Sequence, residues 1–267
     1  MPLTPLQEKV FRLLREHRNP ESHVAGATAL LPDPGSPRFS DDVDIFHDAV
    51  CLVAANADAD AATLRQHGLT VGWITRVEAH HRALVGDGRE QLKIEWVYDS
   101  AFRFFPVEPD PVLGYRLHRA DLAVNKILAA AGRTVARDFL DLMYLHETYL
   151  SVGALAWAAT GKDPGLSPLF ILNELVRTNR YRPEDFANLS LARPVSLPAL
   201  KMTFLEAVRE AENLINCLPQ TEVGCLYLDA AGRPVTPDPA SPDFARLTRH
   251  QGRLRGSWPR VADDATL

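Results

Sequence analysis

Hydrophobic and polar positions near the N-terminus predict an amphipathic helix. Thr4 and Gln7 form a capping box around Pro5, so we expect a helix to begin there and to end near Asn19-Pro20. Its apolar residues fall on one stripe, namely Leu6, Val10, Leu13 and Leu14. One face of this helix should therefore pack against a core.

The next segment combines a short apolar run, a turn and a β-prone run. His23-Val24-Ala25 is predicted to be a strand or a helix end, and it enters a turn at Gly26. Proline and glycine make Asp33 to Ser36 a predicted loop. The run from Val43 to Phe46 is short and β-prone, which predicts a central strand.

A β-hairpin is predicted between Val71 and Val97. Two strand-like runs flank the turn residues 86–88, Gly-Asp-Gly. In the second run Leu92, Ile94 and Trp96 alternate with polar residues. Lys93 and Glu95 therefore share one face of that strand.

Prolines at 106, 109 and 111 mark a candidate domain boundary, beyond which the periodicity becomes helical. Helices are predicted at roughly 119–131, 136–149, 167–178 and 196–217. A further strand is expected within 222–228, and a loosely ordered tail from Ala230. The expected fold is α+β: a small mixed β-sheet domain (1–110), a helical domain (111–229) and the tail (230–267).

Composition narrows the possible functions. The 267 residues are 46% hydrophobic with a formal net charge of −5, and no apolar run reaches the length of a membrane helix. The three cysteines lack metal-ligand spacing, which argues against a zinc site. The acidic balance argues against tight, nonspecific nucleic-acid binding. The N-terminus lacks the pattern of a signal peptide, so a cytoplasmic protein without a membrane partner is expected.

Asp41-Asp42-Val43-Asp44 places three carboxylates within four residues. On a strand Asp42 and Asp44 project from the same face, while Val43 points into the core. Two carboxylates so close repel each other, and a divalent cation such as Mg²⁺ or Mn²⁺ removes that conflict. An ordinary solvated acidic turn is the alternative.

Upstream, Gly26-Ala27-Thr28 can form a tight turn that opens a helix, where backbone N–H groups bind phosphate. Arg38 could reach a phosphate, and Ser40 could brace the loop or a carboxylate. Each of these residues could equally have a plain structural role.

Two segments in order resemble a known family. Residues 26–30, Gly-Ala-Thr-Ala-Leu, followed by 38–44, Arg-Phe-Ser-Asp-Asp-Val-Asp, resemble the first motif of DNA polymerase β-like nucleotidyltransferases, in particular the AbiEii/AbiGii-toxin-like branch. Lys126, Arg133 and residues 137–142, Arg-Asp-Phe-Leu-Asp-Leu, resemble a later element of that branch. The resemblance covers roughly residues 20–150 and departs at Ala27, where the superfamily usually has Ser or Gly.

The resemblance implies roles for particular residues. Glu95 would be a third carboxylate beside Asp42 and Asp44, either as a ligand in a two-magnesium mechanism or as the general base. The implied contacts with a nucleoside triphosphate come from Gly26, Ala27, Thr28, Arg38, Ser40, Lys126, Arg133, Asp138 and Asp141. The structural alternatives are that Glu95 pairs with a lysine, that Lys126 extends to solvent, and that Asp138 favours a helix N-terminus.

The implied reaction transfers a nucleoside monophosphate to an unidentified acceptor: tRNA, a protein hydroxyl or a small molecule. Only the resemblance to this branch implies that the protein is a toxin paired with an antitoxin. An aminoglycoside-type resistance enzyme and a catalytically silent binding protein are the alternatives. The basic segment Arg177 to Arg182 could dock an acceptor, with Tyr181 stacking on a base, or could be a solvated helix end.

Overall fold

The structure is a computed structural model that describes residues 3–30 and 35–259; Asp33 and Pro34 of the predicted loop lie outside the described residues. The chain divides into two compact units. The first comprises Met1–Ala101 and Pro106–Leu122, and the second Phe102–Phe105 and Ala123–Leu267. The expected boundary at 110 falls inside the first unit, because the strands on either side of it join the first unit's sheet.

Within the described residues, the first part of the chain contains three α-helices and most of the strands, and helices dominate the second part. The α-helices are α1 (Pro5–Leu14), α2 (Gly26–Leu30), α3 (Val50–Gln66), α4 (Arg119–Gly132), α5 (Ala136–Thr148), α6 (Val152–Lys162), α7 (Pro168–Thr178) and α8 (Leu197–Cys217). The strands are β1 (Ser22–Ala25), β2 (Asp42–His47), β3 (Thr70–Val77), β4 (His80–Gly86), β5 (Gln91–Tyr98), β6 (Phe102–Arg103), β7 (Glu108–Asp110), β8 (Gly114–Arg116), β9 (Cys225–Leu228), β10 (Thr248–Gln251) and β11 (Arg253–Leu254).

The first helix begins as the sequence predicts. The Thr4 hydroxyl accepts a hydrogen bond from the backbone N–H of Gln7 at 3.2 Å, and the Gln7 side chain accepts one from the N–H of Thr4 at 3.0 Å. α1 ends at Leu14, several residues before the predicted end, and a 3₁₀ turn follows it to His17.

The first unit is built on a seven-stranded mixed sheet with the order β3-β4-β5-β2-β1-β8-β7. β2 pairs with β5 and β1 with β8 in parallel, while the other neighbours are antiparallel. The fold is therefore α+β, and β2 is central, as predicted. The segment between Val71 and Val97 forms three strands rather than two, because the chain also reverses at Glu78-Ala79, where no glycine or proline marks a turn.

The second unit is helical, with two small strand pairs. The sequence pattern missed α6 because Val152 through Ala159 are all buried, so no polar face creates a stripe. β9 pairs with β10 and β6 with β11. The prediction of a loosely ordered tail from Ala230 is therefore wrong for the described part, while residues 260–267 lie outside it. Among residues 3–30 and 35–259, no helix is long and apolar enough to cross a bilayer.

Candidate active site

Asp42 and Asp44 lie on the same face of β2. Both are partly exposed, whereas the alternate residues Val43 and Ile45 are 0% and 1% exposed in the core. This arrangement confirms the prediction from their spacing. Asp44 pairs with Ala25 of β1 on one side and with Glu95 of β5 on the other, so it lies at the centre of the sheet.

The turn at Gly26 contacts the Asp44 carboxylate directly. Gly26 has a φ of +63°, and a Cβ atom at this residue would overlap Oδ2 of Asp44. Only glycine satisfies both the left-handed backbone and the close approach. Ala27 follows in α2 and is 8% exposed. The turn and the carboxylate are therefore adjacent parts of one site.

Thr28 and Ser40 brace the backbone of Asp42. Their hydroxyl oxygens are 2.9 Å apart, and each lies within hydrogen-bonding distance of the Asp42 carbonyl oxygen. One hydroxyl donates to that carbonyl and accepts the proton of the other. Gln7 adds a hydrogen bond from its side-chain amide to the Ser40 carbonyl at 2.7 Å. The Thr28 hydroxyl is thus engaged in holding β2, and its contact with a phosphate stays a prediction.

Arg38 is a buried part of the approach to β2. The residue is 3% exposed, and Nη1 donates to the Phe39 carbonyl at 3.0 Å. Ser36 donates to the carbonyl of Arg38 itself at 2.9 Å. These contacts give Arg38 a structural role in the loop, and its contact with a phosphate stays a prediction.

Glu95 is the Cα partner of Asp44 on the adjacent parallel strand, as predicted. Its carboxylate is surrounded by basic side chains: Oε1 lies 3.2 Å from Lys93 Nζ, and Oε2 lies 2.9 Å from His80 Nε2 and 3.1 Å from Arg82 Nη2. Burial acts to raise the pKa of Glu95, but the hydrogen bonds from Arg82 and Lys93 outweigh it and lower that pKa. A carboxylate held this way is a poor proton acceptor.

The sequence pattern did not identify His80 and Arg82 as neighbours of Glu95. They are two residues apart on β4, and this spacing alone indicates a shared face. Their partner is fixed only by the register of β4 on β5, in which Arg82 pairs with Glu95. Lys93 contacts Asp42 as well as Glu95, with 2.9 Å between its Nζ and Oδ2 of Asp42.

The residues fit a magnesium ion held by two carboxylates better than one held by three. In the described part of the chain, no group of three or more His, Cys, Asp or Glu side chains is arranged to hold a metal ion. Both oxygens of Glu95 meet basic side chains in this arrangement, and its place as a third ligand beside Asp42 and Asp44 stays a prediction. Asp42 and Asp44 suit Mg²⁺, which commonly takes one or two carboxylates plus substrate oxygens and water.

A buried ion-pair cluster lies on α4 and α5 of the second unit. Lys126 Nζ is 2.8 Å from Asp138 Oδ1 and 3.0 Å from Asp141 Oδ2, and Arg133 Nε is 2.7 Å from Asp138 Oδ2. Both aspartate side chains are 0% exposed. Burial acts to lower the pKa of Lys126, but Asp141 and Asp138 outweigh it and raise that pKa. Lys126 therefore does not extend to solvent, and it is charged.

Asp138 is held ionised by the same cluster. Burial acts to raise the pKa of its carboxyl, but Lys126 and Arg133 outweigh burial and lower that pKa. The sequence pattern did not predict that Lys126 and Arg133 form ion pairs with the aspartates of this cluster. The proposed base-stacking role of Tyr181 is wrong, because the residue is 4% exposed and its ring stacks on Phe139 at 5.1 Å between centroids.

Comparisons with known proteins give a family-model match and solved structures of similar fold. The family model described as "Nucleotidyl transferase AbiEii toxin, Type IV TA system" matches residues 11–209. Solved structures with a similar fold include JHP933 of Helicobacter pylori, with a TM-score of 0.51 and 19% identity over 80% of this chain and 95% of the other. MenT4, a nucleotidyltransferase toxin of Mycobacterium tuberculosis, has a TM-score of 0.53 and 17% identity over 81% and 83% of the two chains. No curated protein shows significant sequence similarity to this chain.

Proposed function

Because the chain belongs to the AbiEii nucleotidyltransferase toxin family, we propose that it transfers a nucleoside monophosphate from a nucleoside triphosphate at the Asp42–Asp44 site. The observation that carries this proposal is the direct contact between the Gly26 turn and Asp44. A magnesium triphosphate needs both a turn whose backbone can bind phosphate and a carboxylate that can hold a cation. Here they are adjacent.

The reaction forms one P–O bond and breaks another. An acceptor oxygen attacks the α-phosphorus, the bond from that phosphorus to the β-bridging oxygen breaks, and pyrophosphate leaves with the electron pair. When bound, Mg²⁺ would neutralise charge on the phosphates. Asp42 and Asp44 would hold it, and the backbone N–H groups of residues 26–28 would position the terminal phosphates.

The supporting residues act through position. Thr28 and Ser40 fix the backbone of Asp42, and Gly26 allows the turn to approach Asp44. We propose no general-base role for Glu95, whose pKa is lowered by its cationic neighbours in spite of burial. We therefore propose that the acceptor hydroxyl transfers its proton to Asp42, Asp44 or water.

We further propose that the protein is the toxin of a toxin–antitoxin pair, which the family description supports. The acceptor would be a tRNA or a protein hydroxyl of the host cell. An antitoxin would then be the partner that limits the activity.

The test is to incubate the protein with each α-labelled nucleoside triphosphate, Mg²⁺ and a cell extract, and to locate the transferred label. Asp42→Asn and Asp44→Asn should abolish labelling, since each removes a carboxylate of the site. Asp41→Asn is the matched control because Asp41 is an exposed neighbour just before β2. Equal labelling by wild type and both site variants would exclude the proposal.

A further inference from the structure

Lys93 lies between two carboxylates of the site face. Its ammonium is 2.9 Å from Asp42 Oδ2 and 3.2 Å from Glu95 Oε1. The three side chains are brought together by the parallel register of β2 on β5, in which Asp42 pairs with Lys93 and Asp44 with Glu95. The ammonium thus binds one of the two carboxylates proposed to hold the divalent cation.

These ion pairs are shielded from water. The side chains of Asp42, Glu95 and Lys93 are 16%, 14% and 27% exposed. Partly buried charges interact more strongly than solvated ones and are screened less by salt. Lys93 therefore competes effectively with an incoming cation for Asp42.

Glu95 offers Lys93 a second position. Since the ammonium already contacts Oε1 of Glu95, it can give up Asp42 and keep one ionic partner. Arg82 and His80 both lie against Oε2, which leaves Oε1 to Lys93. This arrangement gives Glu95 a role that requires no direct contact with a metal ion.

We propose that Lys93 is a tethered counter-ion that a divalent cation must displace from Asp42, and that Glu95 retains the displaced ammonium. This inference rests on the proposed function of the Asp42–Asp44 site. It makes Lys93 a positioning residue that sets the cation affinity of the site. The site would consequently bind a free cation weakly and load it best when a triphosphate supplies additional oxygen ligands.

The test measures Mn²⁺ binding to the full chain without nucleotide, by isothermal titration and by the electron paramagnetic resonance of free Mn²⁺. Lys93→Met should tighten Mn²⁺ binding about tenfold, because a charge-assisted contact of the carboxylate no longer has to be broken. Lys93→Arg, which keeps the charge, should stay near wild type. Lys9→Met, with the same charge change on α1, is the matched control and should not alter binding.

A double-mutant cycle separates the two roles of Glu95. If Glu95 acts through Lys93, Glu95→Gln weakens Mn²⁺ binding in the wild-type background and has no effect in Lys93→Met. If Glu95 is a metal ligand, it weakens binding equally in both backgrounds, and the inference is overturned.

Failure of the inference differs from failure of the proposed function. Mn²⁺ binding that is lost in Asp42→Asn but not tightened in Lys93→Met would overturn the inference alone. Wild-type Mn²⁺ binding that is unchanged by Asp42→Asn and Asp44→Asn would overturn both. Circular dichroism of each variant establishes that a change in affinity does not come from unfolding.

Discussion

Gly26 lies against the carboxylate of Asp44 so closely that no side chain can be accommodated at residue 26. The contact joins the β1–α2 turn to the central strand β2. Two independent demands therefore meet at Gly26: a backbone φ of +63° and room for a carboxylate oxygen. They can be separated by experiment, because other glycines have only one of the two.

Gly26→Ala is expected to abolish nucleotidyl transfer and to destabilise the fold. The left-handed backbone alone costs an alanine roughly 1–2 kcal/mol, and the overlap with Asp44 adds to it. Gly68→Ala is the control, since Gly68 has a φ of +78° and no neighbour near the added Cβ. It should lose similar backbone energy in urea unfolding yet keep transfer activity. An active Gly26→Ala protein would contradict the role of the turn.

Lys126→Met should strongly destabilise the second unit. It leaves Asp138 and Asp141 buried without the ammonium that contacts both of them, while Arg133 still contacts Asp138. Removing one partner of a buried ion pair typically costs about 3–5 kcal/mol. Adding Asp141→Asn should recover part of that loss in urea unfolding. Lys126→Met with wild-type stability would mean that the cluster does not form in solution.

Lys126→Arg tests the nucleotide role that the family resemblance assigns to Lys126, because it keeps the charge and preserves the cluster better than Met. If Lys126 contacts the triphosphate, the altered geometry should weaken binding of nucleotide with Mg²⁺ by about tenfold in isothermal titration. Lys162→Arg on α6 is the matched control. Unchanged affinity in a folded Lys126→Arg protein would give the cluster a purely structural role.

Arg18→Met is expected to cost about 3–5 kcal/mol of stability, since it removes the guanidinium that contacts both oxygens of a buried carboxylate and leaves the contacts of that carboxylate with His17 and Trp96. Arg18 Nη2 lies 2.7 Å from both oxygens of Asp60, whose side chain is 0% exposed and also accepts from Trp96 Nε1 at 2.7 Å. Asp60→Asn in the same protein should restore part of the stability, since the amide oxygen can still accept from Trp96. Additive losses in urea unfolding would show that the two residues are not coupled.

His47 should make stability depend on pH. Burial, with the Arg18 charge second, lowers the pKa of His47 to about 4 from its usual 6.5. The unfolded chain therefore binds the proton first, so this contribution is present above pH 6.5 and is lost as the pH falls towards 4. The loss reaches at most about 3 kcal/mol. His47→Gln should flatten the difference between unfolding at pH 7 and pH 4.5, and an unchanged pH profile would contradict the assignment.

Helices and strands with one polar face could be predicted from the sequence. α1, α7 and α8 carry apolar stripes, and β2 and β5 alternate. α6 could not be predicted because its whole surface is covered, which erases the periodicity. α3 went unrecognised because alanines form much of its buried stripe and hardly contrast with the polar residues.

Within the site, only the relationships between residues of the same strand could be predicted from the sequence. The i, i+2 spacing placed Asp42 with Asp44 and Lys93 with Glu95. Which residues meet across strands depends on register, which short motifs do not encode. For this reason the contacts of His80 and Arg82 with Glu95 could not be predicted from the sequence.

The parallel ladder of β2 and β5 also governs when the site can exist. Asp44 and Glu95 face each other across a loop of roughly fifty residues, whereas the β1–β2 pair that joins Ala25 to Asp44 closes a much shorter one. Contacts so distant along the chain form late in folding. A chain emerging from the ribosome would have the Gly26 turn and Asp44 but no Lys93 beside Asp42 until β5 had been synthesised and had docked. The ion pair is thus a feature of the finished protein, and a nascent chain would expose its carboxylates without their internal counter-ion.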